Sequence, residues 1–285
     1  MILSTIKKSL KSKPSIDKLK IFIANIRKFG GKYLFFKFVL TYFNYYRIRG
    51  NFLNFKTTLD YIRESNKSLI RLGDGEIRLI LGKSIDYQKY DYNLEQDLIK
   101  IIKNYKHDSP YFLALATDYI QATNKQLKDV NRPDLWVPLK IMYKTIFPKE
   151  CIYGNVSIFR YIDYFSIDLK FLYEDKTVIF VANENVIELA NLKKSKKIIK
   201  IVPKTQRNSY FQKDEIMNQI YESMIQFEKS EVVILLSCGP IAKVLTYEIS
   251  AHGYRALDLG YMFEAVNIRK KIREYYDLTK HLIVK

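Results

Sequence analysis

The chain predicts an α/β fold with a mostly parallel sheet flanked by helices, and two observations carry that expectation. After Asn51, short apolar β-rich runs alternate with helix-length segments, the order that builds a parallel sheet through helical crossovers. Runs such as Val232-Val233-Ile234-Leu235-Leu236 are apolar at every position, as strands covered on both faces must be. With 285 residues, 48% of them hydrophobic, the chain can bury one well-packed core with an appendage and is short for two full domains.

The appendage is the N-terminal segment, residues 1–50, ahead of a main domain over 51–285. Twelve Lys and Arg stand there against Asp17 alone, so eleven of the eighteen net positive charges fall in these residues and seven in the remaining 235. From Ile16 the apolar residues Leu19, Phe22, Ile23, Ile26 and Phe29 recur at helical spacing with Lys18, Lys20, Arg27 and Lys28 elsewhere on the wheel, which predicts a basic amphipathic helix. Gly30 and Gly31 end it, and a strongly aromatic stretch, Tyr33 to Tyr46, follows. That stretch is too short and polar to span a bilayer, which takes roughly 20 apolar residues. It can lie in an anionic membrane interface, or its rings can pack on the main domain. Charge concentrated outside the α/β domain argues against a nucleic-acid groove through the core. Cys151 and Cys238 are too few for a disulfide framework, and no secretory signal pattern opens the chain, so a cytoplasmic protein, peripheral on the inner membrane face, is expected.

In the main domain the expected strands are Ser68–Leu72, Tyr111–Ala116, Thr177–Ala182, Ile198–Val202, Val232–Ser237 and Ala256–Leu259. Leu94, Leu98, Ile101 and Ile102 share one helical face, and Ile216, Met217, Ile220, Met224 and Phe227 another. No internal repeat, Walker loop or GxGxxG fingerprint is present.

The stretch SLIRLGDGEIRLILGKSIDYQ, residues 68–88, bears the most chemistry. A strand ends at Leu72, Gly73 and Gly75 permit a turn, and a helix begins over Glu76 to Leu81. Asp74 and Glu76 then stand at the carboxyl edge of the sheet, where ligands gather in α/β folds. Two carboxylates at i and i+2 converge on a hard cation only if the backbone between them turns, which Gly75 would allow. Structural alternatives are a helix cap for Asp74 and a first-turn acid for Glu76. Glu95-Gln96-Asp97 has the same spacing without glycine and reads as a solvated helix face.

The run RLGDGEIRLILGKSIDYQKYD resembles the signature of the GT-D fold glycosyltransferases. So do Tyr153 to Tyr161, the segments Ile201–Lys204 and Asn208–Tyr210, and the unit SCGPIAKVLTYEISAHGYRALDLG, together spanning about 55–265. The resemblance implies a Rossmann-like transferase that binds a divalent cation, Mn2+ or else Mg2+, and the diphosphate of a UDP-sugar. It puts the metal on Asp74 and Glu76, with Arg71 and Gly73 shaping the same loop. Transfer of a hexose, glucose first and galactose next, to a glycan or lipid-linked glycan of the bacterial surface follows as the expected activity. The sequence departs from the family at Tyr261, where a histidine is expected after Gly260.

The remaining candidates come from chemistry and position. Arg160 can grip two phosphate oxygens through its guanidinium, or make a structural ion pair. Lys204 and Asn208, just past a strand, can reach phosphate, ribose or acceptor, or belong to a surface loop. Gly239, ahead of Pro240, can approach a ligand closely or simply join strand to helix. Glu264, alongside Asp258, is a candidate base for the acceptor hydroxyl. A noncatalytic membrane-surface or nucleic-acid binding protein that retains the fold is the competing reading, and a metal-dependent phosphoesterase would need a richer Asp and His cluster.

Overall fold

The structure, a computed structural model, describes residues 16–30, 47–129, 133–160, 168–190, 192–205 and 207–263. Helix α1 (Ile16–Phe29) precedes the short strand β1 (Asn51–Phe52) and helix α2 (Phe55–Ser65). Asn54 caps α2, its Oδ1 accepting from the Thr57 N–H at 2.9 Å. Strand β2 (Ser68–Leu72) leads directly into α3 (Asp74–Ile80), followed by α4 (Tyr92–Lys103), whose first turn is capped by Asp91. Strand β3 (Tyr111–Leu115) is followed by α5 (Thr117–Gln121), α6 (Asn124–Asp129) and α7 (Pro133–Thr145), and then β4 (Ile152–Asn155). The second half runs β5 (Thr177–Ala182), α8 (Glu184–Leu189), β6 (Lys197–Ile201), α9 (Lys213–Met224), β7 (Val232–Ser237), α10 (Ile241–Ala251) and β8 (Ala256–Asp258).

Among the described residues all eight strands pair in parallel, in the order β1-β4-β3-β2-β8-β7-β5-β6. From β2 the chain builds outward through β3 to β4, then crosses to the other half and returns through β7 to β8, beside β2. The β2–β8 junction is therefore a topological switch point, where the loops leaving the strands diverge and open a crevice. Along β5, Val178, Phe180 and Ala182 enter one core cluster while Ile179 and Val181 enter the other, the period of two expected of a strand covered on both faces.

All six expected strands are present within a residue of their predicted ends, and both expected helical faces are buried or partly buried. Strands β1 and β4 were not anticipated. β4 carries Gly154, an unfavourable strand residue, because a Cβ there would fall 2.6 Å from the Phe112 ring and 2.8 Å from the Thr58 methyl.

Two expectations are corrected. Glu95 and Asp97 do not form a solvated face: Glu95 is buried, accepts from the Tyr90 hydroxyl at 2.9 Å and pairs with Lys28 at 2.5 Å. Asp97 accepts from the Tyr210 hydroxyl at 2.8 Å. Nor does Gly75 make the turn after β2. It lies inside α3, and Gly73 is the residue at its cap.

Helix α1 meets the main domain through Lys28, whose ammonium donates to the Ile80 carbonyl at 2.7 Å, at the far end of α3 from Asp74. Asn25 is buried on the same side, whereas Ile23 is 41% exposed. Ile48, ahead of β1, belongs to the core. No helix among the described residues is long and apolar enough to cross a membrane.

Candidate active site

A cavity of about 410 Å³ opens at the carboxyl edge of the sheet, over the β2–β8 junction. Every neighbouring strand end contributes to it: Arg71 and Asp74 from β2 and α3, Ala116 after β3, Ser157 after β4, Asn183 after β5, Ser237 at the end of β7 and Gly260 after β8. This convergence follows from parallel strands, which put all their carboxyl ends on one side.

Four charged side chains form the floor. Lys243, in the first turn of α10, places its ammonium 3.2 Å from Glu76 Oε1 and 3.1 Å from Asp258 Oδ2. Its third contact, to the Gly239 carbonyl, is 3.3 Å long. Burial alone would pull this ammonium down, but the carboxylates of Asp258 and Glu76 outweigh it and hold its pKa above the ordinary lysine range. Arg71 donates from Nε to the Asp258 carbonyl at 2.8 Å and from a terminal nitrogen to the Val156 carbonyl at 3.1 Å. Its other terminal nitrogen lies 3.8 Å from the Asp258 carboxylate. Any side chain at Gly260, which has φ +57°, would collide with that guanidinium. Two cations and two carboxylates thus balance, as buried charge must.

Against this closed set stand groups with nothing to bind. Asp74 lines the cavity half-buried, and among the described residues it accepts no hydrogen bond and joins no salt bridge. The helix-cap alternative fails for it, since Gly73 holds the cap position and Asp74 is already helical. Glu76 does serve α3, its Oε2 accepting the Gly73 N–H at 2.8 Å. The Ser237 hydroxyl is buried and unpartnered at the cavity wall. A buried polar atom without a partner costs about 1–3 kcal/mol, and this one is placed where a ligand in the cavity could supply the partner.

Tyr87 roofs the same space and is 46% exposed. Its hydroxyl sits 3.1 Å from where a Gly75 Cβ would be, and its ring 3.6 Å from a Cβ on Gly239. Gly75 therefore makes room for Tyr87 rather than supplying a turn. Burial, then the charges of Glu76 and Asp74, push the phenol well above the ordinary tyrosine range, despite the opposing Lys243.

Of the residues singled out in the sequence, Arg71, Gly73, Asp74, Gly75, Glu76, Arg160 and Gly239 line the cavity. Arg160 lies over the Tyr261 ring at 5.5 Å, so the residue standing where a histidine was expected forms part of the wall. Lys204 is outside: it is 71% exposed and pairs with Glu215 at 2.6 Å. Asn208 is outside as well. In the left-handed conformation, φ 55°, it accepts the Lys89 N–H at 2.6 Å and donates its own N–H to the Tyr87 carbonyl at 2.9 Å. It braces the loop carrying Tyr87. Asp258 is fully buried and engaged by Lys243 and Arg71, which unsuits it as a base. Glu264 lies outside the described residues. Sequence reasoning missed Lys243, Tyr87 and Arg207. For Lys243 the signal was a single charge inside the apolar run Ile241 to Leu245.

No group of three or more His, Cys, Asp and Glu side chains converges among the described residues. One unengaged carboxylate is nevertheless a fit for Mg2+ or Mn2+, which are held by one or two carboxylates with phosphate oxygens and water supplying the rest. Asp74 qualifies, and Glu76 lines the same cavity with one partner on each carboxylate oxygen, the Gly73 N–H and the Lys243 ammonium.

The sequence profile described as Glycosyltransferase GT-D fold matches residues 69–275. The chain is 29% identical over 227 residues to a probable glycosyl transferase of Streptococcus gordonii, covering 74% of this chain and 32% of that protein. It is likewise 29% identical over 228 residues to the glycosyltransferase GlyD of Streptococcus pneumoniae, covering 72% and 26%. The chain thus spans about a third or less of these relatives. Among solved structures, a new glycosyltransferase from Streptococcus sanguinis, also called domain of unknown function 1792, superimposes with a TM-score of 0.65 at 26% identity. That match covers 78% of this chain and 85% of that one. A second structure, described as the same domain with a distinct glycosyltransferase fold, superimposes at 0.64 with 22% identity over 78% and 82%, which speaks to fold alone.

Proposed function

We propose, from the premise that the chain belongs to the GT-D fold glycosyltransferase family, that it transfers a hexose from a UDP-sugar to a glycan acceptor of the bacterial surface. Glucose is the first donor to test and galactose the next. The observation that carries the reading is the unengaged Asp74 carboxylate in a cavity at the sheet's switch point. Relatives named as glycosyltransferases support it.

Breaking the bond between sugar and diphosphate leaves growing negative charge on the departing oxygens, and the site must stabilise that charge. Asp74 by itself would repel it. Asp74 would hold a divalent cation there, whose positive charge would offset the charge growing on the leaving group. Arg160 and Arg207 face the same space and suit the outer phosphate oxygens, since guanidinium offers paired donors. The Ser237 hydroxyl has a donor to give to the diphosphate or the sugar. Glu264 is proposed as the base that takes the acceptor proton.

Incubating the chain with a panel of nucleotide sugars and Mn2+, and following nucleotide release, tests the reading. Release selective for one UDP-sugar is the expected result, and no release or thermal stabilisation by any of them would sink it. We further propose that α1 lies against an anionic membrane on its Ile23 side, turned away from the Asn25 and Lys28 contacts. Salt-sensitive binding to anionic vesicles that weakens in Ile23→Asp is expected, and binding unchanged by either would refute it.

A further inference from the structure

We propose that an aromatic rim beside the cavity, built from Tyr87, Tyr90, Tyr92 and Phe211, seats the mouth of the site on an anionic bilayer, so that the acceptor arrives on a lipid at headgroup level. The inference rests on the transferase and α1 membrane readings above and goes beyond them, because it assigns a second membrane-facing surface and fixes which way the cavity opens.

The first observation is where the exposed apolar side chains lie. Of the nine large apolar side chains exposed among the described residues, six occupy one stretch of surface: Ile23, Tyr87, Tyr90, Tyr92, Val202 and Phe211, the last 71% exposed. A chain of contacts joins them. Glu95 accepts from Lys28 of α1 on one carboxylate oxygen and from the Tyr90 hydroxyl on the other, and Tyr92 stands one helical turn before Glu95 at the start of α4. Asn208 ties the Tyr87 loop to the next one, accepting the Lys89 N–H and donating to the Tyr87 carbonyl. Its own carbonyl accepts the Phe211 N–H at 3.4 Å. Helix α1 and the loops around Tyr87 and Asn208 thus form one continuous edge, and Tyr87, Pro203, Thr205 and Arg207 carry that edge into the cavity wall.

The second observation is charge. Residues 82–92 and 200–212 carry Lys83, Lys89, Lys200, Lys204 and Arg207 against Asp86 and Asp91, five cations to two acids. Asp91 is engaged in capping α4, whereas Lys83, Lys89 and Lys200 are exposed and join no salt bridge among the described residues. Clustered cations are drawn to anionic headgroups, and tyrosine suits the interface because its ring is apolar while its hydroxyl stays wet. A glycan or an acidic protein is the other occupant such a surface invites. Ile23, Val202 and Phe211 decide for lipid, because they offer only hydrocarbon, with no donor or acceptor for a sugar hydroxyl or a carboxylate. Peripheral seating of this kind grows with the apolar area buried and with the attraction to anionic lipid, and this edge supplies both.

The test reads which surface meets the bilayer. Cys151 and Cys238 are buried, so a cysteine placed on the surface of the full chain takes a polarity-sensitive thiol dye selectively. Dyes on Phe211→Cys and Tyr92→Cys should shift to the blue and brighten at least about twofold on vesicles of phosphatidylcholine with phosphatidylglycerol, and not on phosphatidylcholine alone. A dye on Tyr221→Cys should respond to neither, since Tyr221 packs on His252 at the end of α10 away from the cavity. In sedimentation with the same anionic vesicles, Phe211→Ser combined with Tyr92→Ser should weaken binding at least about tenfold. The melting temperature should hold, as it does for most surface changes. Silent rim dyes on anionic vesicles that the native chain binds overturn the proposal and leave the membrane contact to α1 alone. A native chain that binds no anionic vesicle overturns it together with the α1 reading, and rim dyes that respond as strongly to isomaltooligosaccharides overturn it in favour of a glycan. Nucleotide release by the native chain without vesicles is read separately, which tells failure of the transferase reading from failure of the seating.

Discussion

Asp74-Gly75-Glu76 and Glu95-Gln96-Asp97 present two carboxylates at the same spacing, each pair in the first turns of a helix, α3 and α4. In the second pair every carboxylate is claimed, by Lys28 and Tyr90 for Glu95 and by Tyr210 for Asp97. In the first, Glu76 is claimed in the same way and only Asp74 is left open. Burial does not separate the pairs, since Glu76 and Glu95 are buried to nearly the same degree, 5% and 3% exposed. What separates them is the inventory of partners. An acid whose partners are complete serves the architecture, and one without partners among the described residues, at a cavity, is the candidate for binding a ligand.

The most forceful way to break this comparison is Asp74→Asn. Donor turnover is expected to fall by about 100-fold or more, comparable to removing one electrostatic stabiliser of a transition state. The melting temperature should barely move, because the side chain makes no hydrogen bond or salt bridge among the described residues. Turnover assays across Mn2+ concentrations, run beside thermal melts, check both halves. Normal activity at every Mn2+ concentration would erase the distinction between the two pairs.

A fifth acid sharpens the comparison from the side of stability. Asp118, just after β3, accepts from the Asn155 side chain at 2.8 Å. Burial pushes its carboxyl up to about 6 from 3.8, and the Asn155 hydrogen bond only partly offsets it. The folded state thus holds the proton more tightly than the unfolded chain. Stability is lost as the pH rises from about 4 to 6 and stays lost above, by roughly 2–3 kcal/mol for a shift of this size. Asp118→Asn removes the titrating group and keeps an acceptor for Asn155. The variant should therefore be more stable than the native chain at pH 8, with the gain shrinking toward zero near pH 4. Denaturant unfolding at several pH values reads this out, and a gain independent of pH would contradict it.

How far such roles were legible in the sequence varies with the kind of signal. Val232 to Ser237 and Thr177 to Ala182 could be read as buried strands because apolar side chains on both faces leave a mark in every residue. β4 left none: Gly154 is there for the space taken by Phe112 and Thr58, a requirement set by residues about forty and a hundred positions away. Asp74 was readable because strand, glycine and acid sit together in the chain. Lys243 was not, since its partners Glu76 and Asp258 come from other elements and only the fold assembles them. The same holds for Asn208, which touches no cavity wall and acts by fixing the Tyr87 backbone. Spacing conveys which groups can be neighbours along a helix, and nothing about who satisfies them.

The smallest expected effect completes the comparison from the other pair. Glu95→Gln removes a charge but leaves an acceptor for the Tyr90 hydroxyl and for Lys28, which also keeps its bond to the Ile80 carbonyl. The loss is therefore the difference between charged and neutral hydrogen bonds, about 1 kcal/mol, and not the full penalty of stranding a buried ion, because Lys28 retains 21% exposure to water. Donor turnover should stay within about threefold of native, since Glu95 lies outside the cavity. The helix α1 contact should loosen, and limited proteolysis near Lys28 should speed up relative to cleavage elsewhere in the chain. If Glu95→Gln instead silences turnover with its melting temperature intact, then carboxylates with complete partners also serve chemistry here, and the partner inventory ceases to tell the two acidic pairs apart.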